Sequence, residues 1–111
     1  MKTFNEFLNE NKIVKEDGTI EYRNSKGQLH RKDGPAVERK NGDKVWYLNG
    51  EKHREDGPAI EWADGTTYWY INGKLHREDG PAVETAFGHK SYYLNDKKYN
   101  RTNFNKKMGI E

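Results

Sequence analysis

A unit of 23 residues recurs in register along this chain and leaves few folds open to it. Gly27, Gly50 and Gly73 each open a copy, and Asp96 opens a fourth, degraded one. Segments 27–49, 50–72 and 73–95 read GQLHRKDGPAVERKNGDKVWYLN, GEKHREDGPAIEWADGTTYWYIN and GKLHREDGPAVETAFGHKSYYLN. A strict period of this length means stacked supersecondary units, each burying its face only against its neighbours. Such stacks present long surfaces, so the period favours a binding or scaffolding role over an enzyme with a pocket.

Composition agrees with a thin structure. Hydrophobic residues are 32 % and charged residues 34 % of 111, too polar for a thick core. Polarity of that kind alone would read as disorder. Against this, three Trp, seven Tyr and four Phe recur at fixed phases, as in a sheet sealed by aromatic ladders. The absence of Cys excludes disulfides and thiolate metal sites. No apolar run is long enough to span a membrane, and no signal-peptide hydrophobic region is present. A cytoplasmic location is therefore expected unless the chain is released by a route other than secretion. Net charge is +2, with +3 in residues 96–111 and −1 in the rest. The repeats themselves carry mixed signs, as an ordinary solvated surface does.

Local chemistry predicts β-hairpins. In each copy Asp-Gly-Pro (Asp33, Asp56 and Asp79 first) forms a turn, and all three prolines lie at that phase, where a missing donor suits the start of a strand. Short strands follow at Ala36-Val37-Glu38, Ala59-Ile60-Glu61-Trp62 and Ala82-Val83-Glu84. Asn41-Gly42 and Asp64-Gly65 read as hairpin turns tolerant of positive φ, with Phe87-Gly88 a poorer version. Second strands are expected over 44–48, 67–71 and 90–94, ended by tight turns at Asn49-Gly50 and Asn72-Gly73. Alternation places Trp46, Trp69 and Tyr92 on one face with Leu48, Ile71 and Leu94, the expected buried column, joined by Val37, Ile60 and Val83. Tyr47, Tyr70 and Tyr93, with Tyr68 nearby, take the opposite face. The expected fold is all-β: an elongated antiparallel meander of seven or eight strands, with like residues of successive copies about 10 Å apart.

Four segments result. Residues 1–10, MKTFNEFLNE, read as a short helix with Thr3 and Glu6 as a capping box and Phe4, Phe7 and Leu8 on one face. Residues 11–26 hold a half repeat with a turn at Asp17-Gly18 and a looser connection before Gly27. Residues 27–95 are the three full copies. Residues 96–111 are a degenerate cap in which Tyr99 and Asn100 replace the repeat His and Arg, and Lys106-Lys107-Met108 reads as helical.

The stretch Trp62-Ala63-Asp64-Gly65-Thr66-Thr67-Tyr68, followed by Asn72-Gly73-Lys74-Leu75-His76, resembles a MORN repeat. It is similar to the divergent variant carrying Leu-His-Arg-x-Asp-Gly-Pro-Ala, known from bacterial and large-virus proteins. The resemblance implies β-hairpin units over residues 27–95. Arg31, Arg54 and Arg77 stand where that family has Gly after His, and aromatic pairs replace its Tyr-Glu-Gly. Its lipid-binding and partner-binding roles therefore carry over poorly. Residues 1–10 resemble the capsid-targeting leader of internal head proteins of large tailed phages. That resemblance implies cleavage after Leu8-Asn9-Glu10, packaging in the virion interior and injection into the host cytoplasm, where such proteins can neutralise defence systems.

Two rows of side chains are candidate sites. His30, His53 and His76, each followed by Arg31, Arg54 or Arg77 and then an Asp, invite a metal or catalytic reading. A spacing of about 10 Å between copies defeats a shared metal, whose ligands lie about 2 Å from it. The arginines could meet phosphates, but neighbouring carboxylates Glu55, Asp56, Glu78 and Asp79 cancel their field and argue against nucleic acid. These residues are expected to tie the connections between hairpins. The exposed tyrosine ladder Tyr47, Tyr70, Tyr93 with Tyr68 is the candidate partner surface, with cross-strand stiffening as its plain alternative. No catalytic set, cofactor loop or metal site is defensible. The expectation is a non-enzymatic protein-binding module acting on a host protein, with a homodimer through open sheet edges. The alternatives are a nucleotide or small-ligand sponge and a scaffold with lipid or nucleic-acid contacts.

Overall fold

A computed structural model describes residues 10–110. Its strands are β1 (Asn11–Val14), β2 (Ile20–Arg23), β3 (Val37–Glu38), β4 (Lys44–Val45), β5 (Tyr47–Leu48), β6 (Glu51–Lys52) and β7 (Ile60–Glu61). They continue as β8 (Thr67–Tyr68), β9 (Tyr70–Ile71), β10 (Lys74–Leu75), β11 (Val83–Glu84), β12 (Lys90–Leu94) and β13 (Lys97–Tyr99). One helix, α1 (Arg101–Met108), follows. Nine strands pair antiparallel in the order β1-β2-β3-β4-β7-β8-β11-β12-β13, while β5–β6 and β9–β10 form separate two-stranded ribbons. The molecule is all-β and elongated, 55 × 26 × 17 Å.

The strands outnumber the seven or eight expected for two reasons: the second strand of each of the first two copies breaks at its tryptophan, and the residues after the Asn49, Asn72 and Asn95 turns add the short strands β6, β10 and β13. The Trp46 N–H donates to the Ala59 carbonyl within the long sheet, while its C=O accepts from His53 N–H in the ribbon. Trp69 repeats this with Ala82 and His76. One residue thus hands the chain from sheet to ribbon, and only the last copy runs unbroken as β12.

Two turn types alternate. The ribbon turns have positive φ at both central residues, 50° and 82° at Asn49-Gly50 and 50° and 79° at Asn72-Gly73, the combination that matches strand twist. At Asn41-Gly42 and Asp64-Gly65 only the glycine is left-handed, with φ 103° and 97°. The Asn or Asp there instead accepts the amide two residues on, as Asn41 Oδ1 does from Asp43 and Asp64 Oδ1 from Thr66. The residue inserted before Gly27 is absorbed by a wider turn in which Asn24 Oδ1 accepts from the Lys26 and Gln28 amides.

Which face is deepest differs from the sequence expectation. Val37, Val45 and Ile60 form the core cluster, with Leu29, Tyr47, Trp62, Tyr68 and Tyr70 packed on it. Register lines Glu21, Val37, Val45, Ile60, Tyr68, Val83 and Ser91 across the sheet. Val37 and Ile60 sit where expected, but the aromatic partners of this core are tyrosines. Trp46, Trp69 and Tyr92 lie half-buried on the opposite face. That face is covered by cations: the guanidiniums of Arg31, Arg54 and Arg77 stack 4.0, 3.9 and 3.9 Å from the ring centroids of Tyr22, Trp46 and Trp69.

The N-terminal helix expected over residues 1–10 falls almost wholly outside the described residues. The helix that is described closes the other end. Asn100 stands where a fourth Arg would lie and caps α1 instead, accepting from the Asn103 amide. Phe104, 0 % exposed, packs its ring 4.9 Å from Tyr92, taking the stacking position that the missing arginine leaves. The helix spans 101–108, an earlier start than the Lys106-Lys107-Met108 composition indicates.

Candidate functional site

Each repeat histidine ties the start of its copy to the turn that ends it. His30 Nδ1 accepts the Asn49 amide at 2.9 Å, His53 Nδ1 accepts that of Asn72 at 2.9 Å, and His76 Nδ1 accepts that of Asn95 at 3.1 Å. Beside each, the next turn residue donates to the preceding copy: Gly50 to Leu29, Gly73 to Lys52 and Asp96 to Leu75. An imidazole that accepts at Nδ1 carries its proton on Nε2. At His53 and His76 that nitrogen faces Glu55 and Glu78 at 3.3 and 3.0 Å. Among the described residues no group of three or more His, Asp and Glu side chains gathers as metal ligands would.

The arginines are committed as well. Nη1 of Arg31, Arg54 and Arg77 donates to the carbonyls of Pro35, Pro58 and Pro81 at 3.2, 3.1 and 3.1 Å. Nε faces Asp33, Asp56 and Asp79 at 3.4, 3.3 and 2.9 Å. The glycine of each Asp-Gly-Pro turn is what lets the arginine pass. A Cβ on Gly34, Gly57 or Gly80 would lie 2.9, 2.8 or 3.0 Å from the guanidinium carbon. The turn thus cradles a cation already held over an aromatic ring.

Between successive Asp-Gly-Pro turns the Trp–Arg face opens into two equivalent grooves. The first, about 740 Å³, has Trp46 and Leu48 as its apolar floor, with Lys32, Asp33, Pro35 and His53 to Asp56 around it. The second, about 500 Å³, repeats this one period on with Trp69 and Ile71 beneath His76, Arg77, Glu78 and Asp79. Both rims carry cationic and anionic side chains. In the third copy the corresponding floor, Tyr92 and Leu94, is covered, Leu94 being buried and Tyr92 lying under Phe104. The grooves collect Arg31, His53, Arg54, His76 and Arg77 from the predicted row, leaving out His30, but their floors were assigned from sequence to the core. The available signal was the common phase of Trp46 and Leu48 with the Asp-Gly-Pro turns.

The tyrosine row lies on the other face. Tyr47, Tyr68, Tyr70 and Tyr93 are half-buried, not the free ladder expected, because Tyr47, Tyr68 and Tyr70 roof the core cluster. Burial pushes the Tyr70 phenol up, and Asp96 with the neighbouring phenols of Tyr68, Tyr47 and Tyr93 adds to the rise. Lys52 sits 5.0 Å above the Tyr70 ring. Of the cleavage motif, Leu8 and Asn9 lie outside the described residues. Glu10 is 4 % exposed, and its carboxylate accepts the Lys32 amide at 2.8 Å, at the rim of the first groove.

No helix among the described residues is long and apolar enough to cross a membrane. Comparison with family models, curated proteins and solved structures finds no match to this chain.

Proposed function

We propose that this chain is a non-enzymatic module that docks a protein partner across the Trp–Arg face. The observation that carries the reading is the pair of equivalent grooves over Trp46-Leu48 and Trp69-Ile71, set one repeat apart. Side chains with apolar tips and polar flanks fit an apolar floor ringed by both charges. Two such grooves in tandem favour an extended or helical segment that engages both at once. Catalytic chemistry has little to work with there, since the histidines and arginines are already spent on holding the repeats together. The resemblance to MORN repeats supports a scaffold of this kind.

The resemblance of residues 1–10 to a capsid leader supports the biological setting: a phage internal protein, packaged and injected, that binds a host factor such as a defence component. Mass spectrometry of purified virions is expected to find the chain starting at Asn11. Absence from virions removes the packaging half. Capture of host protein by the wild-type chain is expected to fall at least tenfold in a Leu48→Lys, Ile71→Lys double variant of unchanged circular dichroism. Equal capture by both chains rejects the groove face as the docking surface. Loss on Tyr93→Ala instead assigns the role to the tyrosine row.

A further inference from the structure

The two ends of the nine-stranded sheet are unequal. β13 presents Lys97 and Lys98, exposed charges of the kind that guard a sheet edge, and runs directly into α1. β1 carries one exposed charge, Lys12, beside two exposed apolar side chains, and among the described residues no helix follows on from it. All four of its residues are exposed, with Ile13 at 40 % and Val14 at 65 %.

The outward backbone groups of β1 can be identified. The Tyr22 N–H donates to Ala36 and its C=O accepts from His30, so both point away from β1. Lys12 faces Tyr22 across the pair, and Val14 faces Ile20. Hydrogen-bonded and non-bonded pairs alternate in an antiparallel ladder. The Asn11–Arg23 and Ile13–Glu21 pairs therefore carry the β1–β2 bonds, and Lys12 and Val14 turn their N–H and C=O outward. Ile13 also stands on the core row, beside buried Glu21.

We infer that two copies of this chain join through β1, antiparallel about a twofold axis at Ile13, making one continuous sheet. In that register each Lys12 exchanges two backbone hydrogen bonds with Val14 of the second copy. Ile13 meets Ile13 as a non-hydrogen-bonded pair, where side chains approach most closely. Asn11 faces Lys15, so no like charges stand directly opposed. An axis at Lys12 would oppose two ammonium groups, and one at Val14 would pair little beyond the strand end. The core row, which stops at an exposed Ile13, would continue into its copy.

Sedimentation from micromolar to millimolar concentration should show the 13.0 kDa chain doubling its mass reversibly. Val14→Pro removes only an outward donor and leaves the β1–β2 bonds in place, so it should stay monomeric with unchanged circular dichroism. Because the chain has no cysteine, Ile13→Cys gives an independent reading. It should oxidise to a disulfide-linked pair far faster than Asn11→Cys, whose counterparts lie apart in this register. A wild-type chain monomeric throughout, a dimer unaffected by a folded Val14→Pro, or equal oxidation of the two cysteine variants overturns the inference. Monomeric wild type whose β1 amides become protected only when another protein binds would assign the edge to that protein instead.

Discussion

Each repeat histidine accepts, at Nδ1, the amide of an asparagine 19 residues later in the chain. The acceptor sits on the atom attached to Cγ, a place that Asn Oδ1 can also fill and Gln cannot. His53→Asn should therefore keep most of the stability that His53→Gln loses, about 0.5–1.5 kcal/mol for a hydrogen bond whose donor water can reach. Urea unfolding of the two variants checks this, and equal losses would mean that ring packing, not the acceptor, is what matters. Glu21 gives the pH dependence at the same scale. Burial pushes its carboxyl up, but hydrogen bonds and charges from Lys15 and Arg23 together outweigh this and hold it below the ordinary 4.5. A lowered folded value means that the contribution is complete above pH 4.5 and disappears as pH falls through the folded value. Glu21→Gln should thus lower stability at neutral pH and flatten its acid limb, read from thermal unfolding at stepped pH.

At the scale of elements, α1 shows a broken repeat repaired by a different structure. Phe104 supplies by packing what Arg54 and Arg77 supply by stacking. Phe104→Ala should cost about 3–5 kcal/mol, as for other fully buried aromatics, and should unprotect β12 and β13 before the rest in hydrogen exchange. The hairpins were legible in the sequence because Asn-Gly, Asp-Gly and Gly-Pro fix turns locally, whatever the chain packs against. The core face was not. Alternation separates Trp46 and Leu48 from Val45 and Tyr47 but does not rank the two sets by depth, and the larger rings suggested the wrong one. What decides is where a cover comes from. Arginines fold back over the tryptophans from the next turn, a contact of i to i+8 that no period-2 or period-3.6 pattern registers. The break at Trp46 escaped for a similar reason. It depends on a bond to Ala59 and another from His53, both from the following copy.

For the whole molecule the consequence of this wiring is modularity. The main bonds between copies recur at equivalent positions: the Trp amide to the next Ala carbonyl, the turn glycine to the preceding copy, Arg over the preceding aromatic, and Asp43 to the Ala63 amide as Thr66 to the Ala86 amide. Removing residues 50–72 joins Asn49 to Gly73 and offers each broken partner its counterpart. His76 replaces His53 behind the turn, and Arg77 can stack on Trp46 as Arg54 did. The shortened chain should fold, with its long axis reduced by about 10 Å, two strand spacings, in small-angle scattering. Stability in such stacks is close to a sum over units and their interfaces, so its unfolding m-value should fall in proportion to the surface removed. A deletion of the same length displaced by half a period, residues 61–83, keeps the alternation of hairpins and the count of residues. It joins Ile60 to Glu84, the same phase of the repeat, and should behave alike. Removing 20 residues in place of 23 shifts the register, sends Arg and His to the wrong neighbours, and should leave the chain unable to form the sheet. If the off-register chain unfolds as cooperatively as the in-register pair, the copies do not depend on matched contacts, and the stacking account of this fold fails.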